Sequence, residues 1–123
     1  MLSQSGKELL LDESMTLADI QLEFSRLFPY LKLEFYTIRK SLQSQSSAKL
    51  LTKKLSEFNS KHLLEETSIS PEMSVMMLEY NFHERFALEV QVFRKSGKSW
   101  LETTATGEWT LAEQNAEGEA LGE

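Results

Sequence analysis

The sequence predicts a single α+β domain, and three observations carry that expectation. Apolar residues first recur at helical spacing and then alternate at strand spacing; this succession occurs twice, 58 residues apart; and a short Ser-Gly segment near the C-terminal third separates two further alternating runs. A chain of 123 residues fits one domain, residues 1–123. At that length roughly two thirds of the unfolded surface can be buried, so a core forms without a metal or disulfide staple.

The two units are defined by aligned residues. Met15-Thr16-Leu17 matches Met73-Ser74-Val75, and the same offset sets Leu11 on Ile69, Ile20 on Leu78, Phe24 on Phe82 and Phe28 on Phe86. Past the helix the first copy holds one extra residue, Pro29, after which Leu31, Leu33 and Phe35 match Leu88, Val90 and Val92. Leu17, Ile20, Phe24, Leu27 and Phe28 form one helical stripe, as do Val75, Leu78, Phe82 and Phe86. Thr16 and Ser74 stand where an N-cap hydroxyl accepts from the free amides of a first turn. Each unit therefore reads as short strand, helix and longer strand, over about 9–36 and 67–93. Leu9–Leu11 and Thr67–Ile69 are the short strands.

Between them, Gln43–Ser47 holds only Ser and Gln and reads as a loop. It leads to a linker helix over about 48–59, with Leu51, Leu55 and Phe58 on its apolar face. Pro71 belongs in the turn before Ser74.

Setting Ser96-Gly97 as a two-residue hairpin turn pairs Phe93 with Trp100, Val92 with Leu101, Gln91 with Glu102 and Val90 with Thr103, each pair matched in character. After the hairpin, Thr110-Leu111-Ala112-Glu113 is a capping box, close in sequence to Thr16-Leu17-Ala18-Asp19. It starts a last helix. Hairpin and helix span 88–118, with a frayed tail over 119–123. The expected assembly is a ferredoxin-like sandwich: one antiparallel sheet with helices mainly on one face, plus an extra hairpin strand and a C-terminal helix. The alternative pairs the two units across a pseudo-twofold without that strand order.

Charge and composition narrow the function. Residues 1–98 carry 13 basic and 13 acidic side chains, whereas residues 99–123 carry six acids and no base, which accounts for the net −6. Nucleic-acid binding draws on a basic field, so it is disfavoured. The chain has no cysteine, which excludes disulfides, thiolate metal sites and cysteine nucleophiles. Met1–Lys7 is too short and polar for a signal peptide, and no apolar run reaches membrane-spanning length. A cytoplasmic location without membrane association is the expectation.

No local motif marks a catalytic site. Gly97-Lys98-Ser99 resembles the end of a phosphate-binding loop, but Val92 stands where the first glycine belongs and a strand follows instead of a helix. His83-Glu84 lacks the second histidine of a zinc-protease helix, the position being Ala87, and His62 lies in an unrelated segment. No Gly-x-Ser-x-Gly elbow occurs and no carboxylate pair stands out. Neither a cofactor nor a metal is expected. Met73, Met76 and Met77 read as packing at a helix start, with an adaptable binding surface as the alternative.

What remains is a surface. If the helices cover one face of the sheet, the other presents Tyr36, Phe93 and Trp100 among Glu34, Gln91 and Glu102. Aromatic side chains ringed by polar groups mark contact surfaces. The competing expectation is that the last helix folds across this face, with Trp109 packed there. The leading functional reading is a non-enzymatic interaction or regulatory domain whose partner is another protein or a second copy of itself, a homodimer. The alternative is binding of a small anionic ligand or phosphate backbone at the hairpin tip through Arg94, Lys95 and Lys98.

The run Val90-Gln91-Val92-Phe93-Arg94-Lys95-Ser96-Gly97, with Trp100-Leu101-Glu102-Thr103-Thr104-Ala105-Thr106 and Trp109-Thr110-Leu111-Ala112-Glu113-Gln114-Asn115, resembles the C-terminal signature of a small uncharacterised bacterial family. The resemblance covers about the last third of the chain. It implies no activity or catalytic residue and directs attention to the hairpin and the helix after it.

Overall fold

The computed structural model describes residues 8–37, 48–58 and 68–121. The expected loop Gln43–Ser47, His62, and the outer ends of the linker helix and of the second short strand at Asn59 and Thr67 lie outside them. In chain order the elements are β1 (Leu9–Leu10), α1 (Leu17–Leu27), β2 (Leu31–Thr37), α2 (Ala48–Leu51), a 3₁₀ turn (Leu55–Glu57), β3 (Ser68–Ile69), α3 (Val75–Phe86), β4 (Leu88–Ser96), β5 (Ser99–Glu102), a second 3₁₀ turn (Thr104–Thr106) and α4 (Leu111–Leu121).

Capping chemistry starts the helices where the sequence places them. The Asp19 amide donates to Thr16 Oγ1 at 3.0 Å and the Thr16 amide to the Asp19 carboxylate at 3.0 Å, a complete capping box. Ser74 caps α3 through the Met77 amide at 3.0 Å. Met77 stands where the first helix has Asp19, so it offers no return acceptor. Thr110 and Glu113 close the box on α4 at 2.9 and 3.1 Å.

The strands pair differently from a ferredoxin-like sandwich. That order would set β2 beside β3 and β4 beside β1 in a single sheet. Among the described residues, β1 pairs with β3 and β2 with β4 and β5, all antiparallel and in two sheets. The reason is length. Pairing β2 with β4 satisfies seven residue pairs, from Leu31–Arg94 to Thr37–Leu88. A two-residue neighbour such as β1 or β3 would leave most of those backbone groups without partners.

Several backbone contacts of one aligned segment have a counterpart in the other. The alignment of the two units maps Leu31–Arg94 onto Thr37–Leu88 and leaves Glu34–Gln91 in place; in the small sheet it leaves Leu10–Ser68 in place. Leu17 and Val75 amides donate to Lys53 and Trp109 carbonyls at 3.0 and 3.1 Å; Leu55 and Leu111 amides donate back to Met15 and Met73 at 2.9 and 2.8 Å. Lys54-Leu55-Ser56-Glu57 is thus the counterpart of Thr110-Leu111-Ala112-Glu113. Its Lys54 amide donates to the Glu57 carboxylate as Thr110 does to Glu113.

This bridge also corrects the linker helix. Instead of one helix to residue 59 there is a single turn, a break at Thr52-Lys53, and a 3₁₀ turn. The break lets Lys53 and Leu55 bond to the start of α1; the expected Leu55 is buried, Leu51 and Phe58 pack partly buried against the core, and Leu50 joins them.

The core lies between the helices and one face of the larger sheet. Leu17, Ile20 and Phe24 of α1 and Val75, Leu78, Phe82 and Phe86 of α3 are buried against Leu31, Leu33, Phe35, Leu88, Val90 and Val92. Phe24–Phe28 and Phe82–Phe86 meet in tilted pairs at centroid distances of 5.2 and 5.6 Å, and Phe35 meets Phe82 edge-on at 5.5 Å. Met73 packs on this core, while Met76 and Met77 are exposed. Because the second unit lacks a residue matching Pro29, Ala87 turns α3 directly into β4 with φ 54°, left-handed backbone that alanine rarely adopts.

The last helix does not cross the outer face. It packs on the core side, where an ideal Cβ at Gly118 would fall 2.8 Å from Tyr30 Cβ and 3.2 Å from Arg94 Cγ. Trp109 lies there too, its ring centroid 5.8 Å from the Arg94 guanidinium. The helix runs to Leu121, past the expected fraying point at Gly118, because the Leu121 carbonyl accepts from the Gly97 amide at 3.1 Å. Among the described residues no helix is long and apolar enough to cross a membrane.

Candidate functional site

The hairpin that builds the outer face turns at Gly97-Lys98, not Ser96-Gly97. The pairs are Phe93–Glu102, Arg94–Leu101, Lys95–Trp100 and Ser96–Ser99, two residues from the expected register. A tip at Ser96-Gly97 of the common type requires positive φ at both residues. With Gly97 first, only the glycine takes positive φ (61°), and Ser96 stays extended. The slip is even, so every side chain keeps its face. Phe93 and Trp100 still share the outer surface but are not directly opposed.

On that surface Tyr36, Glu34, Gln91, Phe93 and Trp100 are half-buried and Glu102 is exposed. Lysine joins the aromatic residues, which the sequence reading missed. The Lys32 ammonium lies 5.7 Å from the Phe93 ring centroid and 5.1 Å from that of Trp100, and the Lys95 ammonium approaches Trp100 at 5.3 Å. Trp100 thus meets two cations, each attracted to the negative face of its π-system. Lys32 also lies 3.9 Å from the Glu34 carboxylate. The signal available beforehand was the odd-even position of Lys32 in the Leu31-Lys32-Leu33 alternation.

Tyr36 stands apart from this cluster, opposite Glu89 and four residues along β2 from Lys32. Burial raises its phenol above the usual tyrosine value, and Glu34 and Glu102 add to the effect. Charge along the strands is mixed, since Glu102 stands opposite Phe93, which pairs with Lys32, and Glu34 lies beside Lys32. Lys32 and Lys95 lie at one end with Trp100, Glu89 lies at the other with Tyr36, and Glu34–Gln91 is the midpoint.

The three bases of the hairpin tip do not converge. Arg94 has the strand parity of Val92 and turns to the core side, where its Nη1 donates to Gln114 Oε1 at 2.8 Å. Gln114 is fully buried and donates onward to the Thr106 carbonyl and hydroxyl, both at 2.8 Å. Arg94 anchors α4 on β4. Lys95 belongs to the outer face and Lys98 to the exposed turn.

Two grooves occupy equivalent places beside the sheet. One, of about 310 Å³, lies between α1 and the edge of β2 that has no strand partner among the described residues; the other, of about 430 Å³, lies between α3 and the part of β4 that extends past β5. Ala18, Gln21, Leu22 and Ser25 in the first correspond to Met76, Glu79, Tyr80 and His83 in the second, and Leu33 corresponds to Val90. Their edges are finished differently. Gln21 Nε2 donates to the Leu33 carbonyl at 2.8 Å and Ser25 Oγ to the Leu31 carbonyl at 3.2 Å. In the second groove the counterpart of Gln21 is Glu79, whose ionised carboxylate has no proton to give. Burial raises the Glu79 carboxyl above the ordinary value of 4.5, and Glu89 raises it further. The sequence alignment already set Gln21 on Glu79; only the placement beside a strand edge gives that exchange a meaning. Among the described residues no three His, Asp or Glu side chains gather as metal ligands.

Comparison with protein-family models, curated proteins and solved structures finds no match to this chain.

Proposed function

We propose that the protein is a non-enzymatic interaction domain, built from an internal duplication, that self-associates through the outer face of the β2–β4–β5 sheet. The observation that carries the reading is the Lys32–Trp100–Lys95 cluster with Phe93, on a sheet face that no described helix covers. Apolar area left in water contributes nothing to stability, and aromatic residues with a polar rim are the usual composition of a contact centre.

A second copy is favoured over an unrelated partner by the placement of Lys32 and Lys95 at one end of the face and Glu89 at the other, although Glu102 and Glu34 lie beside Lys32. Turning one face by 180° about the Glu34–Gln91 midpoint sets the Lys32 and Lys95 end of one copy on the Glu89 and Tyr36 end of the other. That is the self-complementarity an isologous twofold interface requires. The duplicated units are the scaffold, and the hairpin, whose sequence carries the resemblance to the small bacterial family, supplies Trp100. The cysteine-free composition suits a cytoplasmic setting.

The test is sedimentation of wild type, Trp100→Ala and Phe93→Ala over a concentration series. The expected result is wild-type association that both variants weaken while their unfolding stays cooperative. A wild type that is monomeric at every concentration removes the basis of the reading. Anion binding at the hairpin tip has less support, since Arg94 is committed to Gln114 and only Lys95 and Lys98 remain.

A further inference from the structure

We propose that the last helix is a latch: from Gln114 to Leu121, α4 opens from the sheet as a unit while the rest of the domain stays folded, and what it covers is the Arg94 guanidinium. This opening is separate from self-association and takes place on the opposite side of the sheet. It follows from what α4 buries. In α1 the buried side chains are Leu17, Ile20 and Phe24, and in α3 they are Val75, Leu78, Phe82 and Phe86. Burial of such an apolar face is what holds a short helix to a domain. In α4 the buried residues are Leu111, Gln114 and Gly118. Leu111 belongs to the first turn, which is tied to the start of α3: its amide donates to the Met73 carbonyl at 2.8 Å, and that of Ala112 to the Pro71 carbonyl at 3.0 Å. Past that turn α4 buries no apolar side chain, since Ala116, Ala120 and Leu121 are all exposed. Its close approach to Tyr30 and Arg94 is made at Gly118, which has no side chain to interdigitate.

Polar contacts dock this part of the helix instead. Gln114 Oε1 accepts from Arg94 Nη1, and Gln114 Nε2 donates to the Thr106 carbonyl and hydroxyl, each at 2.8 Å. Asn115 Oδ1 accepts from the Tyr30 amide at 2.8 Å, and the Leu121 carbonyl accepts from the Gly97 amide at 3.1 Å. On opening, such bonds are exchanged for bonds to water at small net cost, so they fix the docked geometry more than they stabilise it. One contact opposes docking outright. Arg94 holds its charge beneath α4 against a neutral amide; among the described residues no carboxylate forms an ion pair with it, and its Nε–H is buried without an acceptor. Opening returns both to water. A helix of 11 residues is marginal in water by itself, so the released segment also unwinds. Two amides outside α4, those of Tyr30 and Gly97, lose their acceptors with it.

Native-state hydrogen exchange of the full chain, at several low urea concentrations, tests the latch. Corrected for intrinsic rates, the amides from Ala116 to Leu121 are expected to exchange about tenfold faster or more than those of Phe24 and Phe82. Their rates should depend little on urea, because a local opening exposes little surface. Gln114→Ala removes three hydrogen bonds. It should speed the α4 amides by about a further tenfold and carry the Tyr30 amide with them, leaving Phe24 and Phe82 unchanged. Asn115→Ala, a milder change at a half-buried position, leaves Arg94 and Gln114 paired. It should speed the α4 amides several-fold and, in parallel, the modification of Arg94 by phenylglyoxal. Exchange of the α4 amides at the rate and urea dependence of Phe24 and Phe82 would overturn the latch. So would equal acceleration of α4 and core amides in Gln114→Ala, or an Arg94 reactivity that Asn115→Ala does not change.

Discussion

In Glu79→Gln the carboxylate of the α3 groove becomes the amide that its counterpart Gln21 already carries, and in Gln21→Glu the exchange runs the other way. Gln21 donates to the Leu33 carbonyl at 2.8 Å, partly shielded from water. A hydrogen bond of that kind contributes about 1 kcal/mol net, and leaving the carbonyl facing a carboxylate adds a comparable penalty, so Gln21→Glu should cost about 2 kcal/mol. Glu79→Gln should gain about 1 kcal/mol by supplying the missing donor to Val90 and removing the repulsion from Glu89, a rise of about 3–5 °C in melting temperature for a domain of this size. Urea unfolding at neutral pH reads both. The effect of pH has a definite sign. Because folding raises the Glu79 carboxyl, chiefly through burial and then through Glu89, the folded chain holds that proton more tightly than the unfolded one. The contribution is fully present below the unfolded value near 4.5 and is lost as pH rises through the raised folded value. The advantage of Glu79→Gln over wild type should therefore shrink as pH falls toward 4.5. His83 on α3 and Glu89 on β4 line the same groove, so the comparison is repeated in Glu89→Gln. A Glu79→Gln variant no more stable than wild type at neutral pH refutes the equivalence of the two edges.

Three other outcomes follow from local geometry. Ala87→Gly should stabilise the chain by about 0.5–1 kcal/mol in the same unfolding assay, because glycine takes φ 54° without the Cβ penalty. Gly118→Ala should destabilise it by about 1–3 kcal/mol, since the new methyl meets Tyr30 Cβ at 2.8 Å and the Tyr30 carbonyl oxygen at 3.1 Å. Trp100→Ala should leave unfolding cooperative and reduce self-association in sedimentation, Trp100 being half-buried on the outer face and outside the core.

The elements were legible where a local pattern decides them. The stripe Leu17, Ile20, Phe24 and its counterpart Val75, Leu78, Phe82 fix both long helices, and Thr16, Ser74 and Thr110 fix where three helices begin. The face assignment of the hairpin was legible for the same reason, since alternation survives an even slip. Its register was not, because matching Phe93 to Trp100 by character neglected the backbone demand of the turn, which admits positive φ only at Gly97. Strand order was not legible either. Which strands pair is a contest among distant segments, and it was settled by the seven-residue match of β2 with β4, against a two-residue pairing of β1 with β3 among the described residues. Of the candidate surface, Tyr36, Phe93, Trp100 and Gln91 were readable from parity. The face of Lys32 was readable too, but its contact with the Phe93 and Trp100 rings was not. Arg94 was misassigned to the basic tip because its partner Gln114 comes from a helix 20 residues away.

The central claim, that the outer sheet face meets a second copy of itself, is tested most directly by following amide chemical shifts of the wild-type chain on dilution. The account predicts concentration-dependent shifts at Lys32, Glu34, Gln91, Phe93 and Trp100, with α1, α3 and α4 unaffected. Spectra that do not change on dilution, or changes confined to the helices, would contradict it.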